Sequence, residues 1–325
     1  MRFSASEVLA VAESTGFRPD MVEKVLHLLD LLDALRSHPF LKGRWVLKGG
    51  TALNLFVFDL PRLSVDIDLN YIGSLDREAL AADRPRIEQA FQAVFSREGF
   101  TIRRIPEEHA GGKWRLGYRT YTGRSGNLEV DLNFMFREPL WEIRHMDSHP
   151  LGDFRAMGIP VLDLHELAAG KLAALFSRRQ ARDLFDCHRL LSMGRLNEEK
   201  LRIGFVVYGA MHRRDWRTVS PGDVDFDPEE LARHLLPTLH DRAVRRKESV
   251  AEYGARLVRE CREALSMVLP LTTPEKEFLD LLLEEGTIQP ELLTSDPVLQ
   301  ERVRRHPLLA WKALHVRRHK GLDRA

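Results

Sequence analysis

Two aspartates two residues apart, Asp66 and Asp68, follow a Gly-Gly-Thr tripeptide within the stretch WVLKGGTALNLFVFDLPRLSVDIDLN, residues 45–70. On an extended strand, side chains two residues apart share a face and their Cα atoms lie about 6.5–7 Å apart. At that spacing two carboxylates bracket one divalent cation, or share two. Gly49 and Gly50 let the backbone approach phosphate oxygens closely. A helix beginning at Thr51 points its free N–H groups and the positive end of its dipole toward the same place. Together these are the minimum parts for moving a nucleotidyl group. Taken singly, the aspartates read as an alternating surface strand and the glycines as a tight turn. The turn is not a Walker A loop, because Lys48 precedes the glycines and no G-x-x-x-x-G-K-[ST] is present.

Further groups complete the set. A third carboxylate is expected from a neighbouring strand; Asp131 is the first choice and Glu129 the fallback, on a strand where Glu129, Asp131 and Asn133 share one face. Ser64 precedes Asp66 on the same face and is placed to touch phosphate or to cap a strand end. Lys171 lies in the small apolar run Ala168–Ala174 and needs an anionic partner there. Asp183 or Asp186 would serve, and so would a triphosphate. Asp183 and Asp186 share a helix face at i,i+3, while Arg182 and Asp186 form an ordinary i,i+4 pair.

The elements that must position these groups follow from periodicity. Helices are predicted over 4–14 and 19–37, a short strand over 45–48 and a helix over 51–58. Residues 64–70 alternate, with Val65, Ile67 and Leu69 on one face and the acids on the other. A helix over 85–98 has Pro85 near its start and Gly99 past its end. Strands are expected over 100–105, 114–121 and 128–136. Asp163-Leu-His-Glu166 has the form of a capping box opening the helix that carries Lys171. A second helix over 181–192 carries Arg182, Asp183 and Asp186. Soft boundaries fall near 158–160 and 194. They divide the chain into N-terminal helices (1–40), an α/β core (41–158), helices completing the site (159–194) and a helical C-terminal region (195–325).

The composition is that of a globular protein: 325 residues, 44% hydrophobic and 30% charged. Net charge is +1, so only its distribution speaks about partners. Arg302, Arg304, Arg305, Lys312, Arg317, Arg318 and Lys320 fall in a stretch without Asp or Glu, and Arg242, Arg245, Arg246 and Lys247 form a second basic patch. Such runs read as a solvated helix face or as a surface for a polyanion such as RNA. Cys187 and Cys261 lack metal-site spacing and are expected to be reduced thiols in the cytoplasm. No signal peptide and no transmembrane helix are expected.

KGGTALNL, RLSVDIDLN and GKLAALFSRRQARDLFD, in that order, resemble the AbiEii/MenT nucleotidyltransferase toxins of the DNA polymerase β-like nucleotidyltransferase superfamily. TTPEKEFLDLLLEEGTIQPELL and HPLLAWKALHV are similar to the C-terminal region of such proteins. The resemblance implies an α+β fold, with a polymerase β-like core and mixed sheet followed by a mostly helical C-terminal region. It implies Gly50 and Thr51 at the triphosphate, where Gly49 and Ser64 are placed by their own positions, and Asp66 and Asp68 at the metal with Asp131 as the superfamily's third carboxylate. Lys171 would bind triphosphate, with Asp183 or Asp186 positioning it or acting as a base. The implied chemistry is Mg²⁺-dependent, with two ions possible, moving nucleotides from an NTP to an RNA 3′ end, tRNA acceptor ends above all. A cognate antitoxin is the implied partner. A small-molecule nucleotidyltransferase of the aminoglycoside-modifying sort and a non-catalytic nucleotide-binding regulator are the competing readings.

Overall fold

The structure is a computed structural model and describes residues 2–105, 111–240 and 248–322. The patch Arg242, Arg245, Arg246 and Lys247 lies outside the described residues. The chain forms two compact units: Met1–Arg137 with Ile143–Leu162 and Leu236–Lys247, and Glu138–Glu142 with Asp163–Leu235 and Glu248–Ala325.

The first unit is built on a seven-stranded mixed sheet in the order β3-β4-β5-β2-β1-β7-β6. Its elements are α1 (Ala5–Thr15), α2 (Pro19–Ser37), β1 (Trp45–Lys48), α3 (Gly49–Ala52), β2 (Asp66–Tyr71), α4 (Arg77–Arg97), β3 (Thr101–Arg104), β4 (Gly111–Arg119), β5 (Ser125–Asn133), β6 (Arg144–Met146) and β7 (Ile159–Val161). β1 pairs antiparallel with β2 and β2 parallel with β5, while β4 runs antiparallel to both β3 and β5. The alternation in β2 and β5 sends Ile67, Leu69, Val130 and Leu132 into the core. On β4, Trp114 and Leu116 join them. Phe91 and Phe95 of α4 pack on Trp114 with ring centroids 5.4 and 5.6 Å away. Each such fully buried side chain contributes roughly 1.5–3 kcal/mol. This packing gives the sheet one apolar face and leaves the alternate positions, Asp66, Asp68, Asp131, Lys113 and Arg115, on the other.

Three local expectations change. α4 starts at Arg77, not at Pro85, because Asp76 caps it by accepting from the Ala79 N–H. Pro85 sits inside the helix. The helix expected over 51–58 begins at Gly49 and widens into a π turn over Leu53–Val57. Leu53, Asn54, Leu55 and Phe56 are all buried, so the segment has no exposed face from which periodicity could be read. β2 begins at Asp66, so Ser64 precedes the strand and is itself buried.

The second unit is helical and includes α5 (Leu164–Ser177), α6 (Ala181–Ser192) and α7 (Glu198–Ala210). α5 and α7 meet at small residues: a Cβ on Gly204 would lie 2.9 Å from that of Ala169. Asp163 caps α5 by accepting from the His165 N–H at 2.9 Å. Glu166 does not close the expected capping box. It turns inward, accepting from the Leu140 N–H at 3.0 Å and the Tyr208 hydroxyl at 2.9 Å. Burial pushes its carboxyl up to about 8 against the pull of those hydrogen bonds.

Candidate active site

The expected site residues fall into two groups, one in each unit. In the first unit β1 ends at Lys48 and α3 starts at once on Gly49, whose φ of +74° only glycine adopts freely. The Asp68 carboxylate lies directly on this glycine: a Cβ there would collide with Oδ2. The bend is braced from two sides. Asn54 Nδ2 donates to the Gly50 carbonyl at 2.9 Å, and the Thr51 hydroxyl donates to the Asp66 carbonyl at 2.5 Å. Thr51 is fully buried. The Thr51 hydroxyl therefore ties the diglycine bend to the acid-bearing strand.

Strand register arranges the acids. Asp68 stands beside Lys48 of β1 on one side and Asp131 of β5 on the other, while Asp66 stands beside Glu129. Adjacent strands are about 4.8 Å apart, so Asp131 is the neighbour of Asp68. Glu129 is held by Arg115 at 3.0 Å and Lys113 at 3.4 Å. Burial pushes its carboxyl up, but those two cations bring it below the ordinary range. Lys48 sends its ammonium over the Phe136 ring, 5.4 Å from the centroid.

The donor set suits a hard divalent cation, since every candidate atom is a carboxylate oxygen. Among the described residues no three His, Cys, Asp or Glu side chains close into a preformed cage. Mg²⁺ rarely uses such a cage; it is held by one or two carboxylates together with substrate phosphates and water. Asp66 and Asp68, with Asp131 beside them, fit an ion that arrives with a nucleotide.

In the second unit Lys171 is buried with Asp183 and Asp186, its Nζ 2.9 Å from Asp183 Oδ1 and 3.1 Å from Asp186 Oδ2. α5 presents the lysine and the first turns of α6 present both acids on one face, as the i,i+3 spacing predicts. The lysine is therefore not a solvated surface cation. Arg178, which sequence reasoning passed over, donates from Nε to Asp183 Oδ2 at 2.7 Å. Burial alone would raise the Asp183 carboxyl; Lys171 and Arg178 outweigh it and hold it below the usual range. The only signal for Arg178 was its place in the RRQARD linker between the two helices.

The C-terminal cations are largely engaged within their own unit. Arg302 bonds Leu140 O and Glu142, and Arg305 bonds Glu138 at 2.8 Å. Arg304 pairs with Glu301 and Glu291, Lys312 donates to the carbonyls of Ala210 and His212, Arg317 donates to that of Gly286, and Lys320 pairs with Glu284.

Comparison with known proteins identifies the family of the chain. The family described as Nucleotidyl transferase AbiEii toxin, Type IV TA system, matches residues 30–278. The chain belongs to this family. It is thereby a nucleotidyltransferase toxin of a toxin–antitoxin pair, with a nucleotide substrate and a cognate antitoxin implied. The fold is also that of MenT4, a nucleotidyltransferase toxin from Mycobacterium tuberculosis H37Rv, at 19% identity and a TM-score of 0.56, over 91% of this chain and 97% of that one. No curated protein sequence matches the chain. Among the described residues no helix is long and apolar enough to cross a membrane.

Proposed function

We propose that the protein transfers a nucleotidyl group from an NTP to the 3′ end of an RNA, a tRNA acceptor end being the favoured substrate, in a Mg²⁺-dependent reaction. The 3′ oxygen forms a bond to the α-phosphorus, the bond from that phosphorus to the β-bridging oxygen breaks, pyrophosphate leaves and the hydroxyl proton is released. The observation that carries this reading is the Asp68 carboxylate seated on Gly49, with Asp66 and Asp131 on the same sheet face. The glycines allow phosphate within reach of backbone N–H groups, and the acids face the same corner. A divalent ion held there supplies charge neutralisation at the transferred phosphoryl group. Asp66 and Asp68 would hold it, with Asp131 as the third. Thr51 and Asn54 fix the bend so that its N–H groups stay aimed. Lys171, with Asp183 and Asp186, enters this reading through the family resemblance; its own geometry is that of a buried charge network.

Labelled nucleoside triphosphates offered with Mg²⁺ to total tRNA, an aminoglycoside panel and the protein alone test the reading. The expected result is label on RNA 3′ ends with wild type and none with Asp68→Ala. Label on an aminoglycoside would move the acceptor to a small molecule; label on nothing would refute transferase activity on all three acceptors.

A further inference from the structure

The sheet face that carries Asp66, Asp68 and Asp131 continues across β5 and β4 to β3, where the register shifts between Ile102 and Arg104, and its character changes on the way. Lys113 is the register neighbour of Asp131, Arg115 of Glu129, Gly117 of Asn127 and Arg119 of Ser125. Beyond them, Thr101 of β3 pairs with Gly117, and Arg103 is exposed on this edge. Lys113 and Arg115 share one carboxylate partner, Glu129. Among the described residues no carboxylate pairs with Arg103, Arg119 or Arg124, and all three are exposed. They line one shallow depression of about 380 Å³ with Gly117, Gly123 and Ser125.

The depression is built, not merely basic. The Arg103 guanidinium crosses from β3 over Gly117 and donates to Asn127 Oδ1 at 2.8 Å and to the Ser125 hydroxyl. A Cβ on Gly117 would collide with its Nε, so the glycine is the notch that lets the guanidinium lie across the sheet. Its partners are neutral, so its charge is fixed in place but left uncompensated. A rigid guanidinium loses little entropy on meeting an anion, and Arg forks match phosphate oxygens. Gly99, Gly117 and Gly123 keep the floor low enough for a bulky phosphodiester.

We propose that this groove, centred on Arg103, Arg119 and Arg124, binds the phosphodiester backbone of the RNA acceptor at a distance from its reacting end. The proposal rests on the RNA-transferase reading above. Strand spacing and rise put the Gly117 notch about 15–20 Å from Asp68 on the same face. A small acceptor seated at the acids leaves the groove largely empty, and cationic aminoglycosides would be repelled by it. A polymer spans it in a few nucleotides. Contacts of this kind position the chain without reading sequence.

The test measures binding and transfer separately on the full chain. Fluorescently labelled tRNA is titrated against wild type, the triple variant Arg103→Ala/Arg119→Ala/Arg124→Ala, Gly117→Val and Asp68→Asn between low and moderate salt. Circular dichroism melts check that each variant folds. The triple variant should bind about tenfold or more weakly at low salt, with the slope of log K against log salt smaller by about 2. Gly117→Val, which dislodges Arg103 while keeping every charge, should weaken binding by a smaller factor. Asp68→Asn should bind RNA like wild type while losing transfer. Unchanged affinity and slope in a folded triple variant would overturn the groove, even if wild type labels RNA and the active-site reading stands. If wild type transfers no label to RNA but the triple variant still loses binding, the reading of the reaction fails and the groove survives.

Discussion

Asp68 touches the diglycine bend that the proposed reading assigns to a substrate phosphate, so its loss should separate chemistry from folding. Asp66→Ala and Asp68→Ala are each expected to lower nucleotide transfer more than about 100-fold, with melting temperatures near wild type because both side chains are only half-buried. Full activity in either variant would end the assignment. The Lys171 cluster behaves in the opposite way. Asp183 is buried with two cations against it, so Asp183→Asn should lose about 3 kcal/mol of stability at neutral pH. Because the folded-state pKa is depressed, that contribution is present above the ordinary carboxylate pKa and disappears as pH falls through the lower folded value. The gap between variant and wild type should therefore narrow in acid. Glu166 runs with the other sign. Its folded pKa is raised to about 8, so its protonated form favours the fold and stability drains away as pH rises from the unfolded value toward 8. Urea unfolding at pH 5, 6.5 and 8 should show the decline, roughly 4 kcal/mol at most from a shift of this size, and Glu166→Gln should flatten it.

At the level of elements, the diglycine bend is the part that tolerates least. Gly49→Ala asks for a left-handed conformation costing about 1–2 kcal/mol and pushes a methyl group into the Asp68 carboxylate. It should lose transfer as completely as Asp68→Ala while also lowering the melting temperature, a pairing that Asp68→Ala lacks; a fully active Gly49→Ala would show the contact to be incidental. This bend was legible in the sequence because two glycines between an apolar strand and an apolar helix leave few alternatives, and the Asp-x-Asp face was legible because strict alternation has period 2. The boundaries of α2, β1 and α6 were legible for similar reasons, each resting on a clean apolar stripe or a firm stop. The choice between Asp131 and Glu129 was not, since a local pattern puts both on one face and only inter-strand register says which stands beside Asp68. The start of α4 was hidden because Pro85 imitates a helix start, whereas the real cap, Asp76, sits in a polar stretch with no apolar stripe to announce it. The resemblance places Thr51 at the triphosphate; only the fold shows its hydroxyl proton bonded to the Asp66 carbonyl.

Across the whole molecule the charges nearly cancel, +1 over 325 residues. A polyanion therefore feels no long-range pull, and at physiological salt any attraction is confined to patches within about 8 Å. Counting cations along the chain points to the C-terminal run, but their partners point elsewhere. Glu138 is buried and faces Arg305 at 2.8 Å and Arg302 at 4.0 Å, and Arg302 also bonds Leu140 O. Removing both arginines strands a buried carboxylate, so Arg302→Ala/Arg305→Ala should cost about 3 kcal/mol of stability. That variant should keep wild-type RNA affinity and salt slope at temperatures where it stays folded. The contrast with the β3–β4–β5 groove is the informative comparison. Two arginines removed from one place should lower the melting temperature and leave the salt slope alone, and three removed from the other should do the reverse. A C-terminal double variant that folds normally but loses the slope would return RNA binding to the run that the linear sequence suggested.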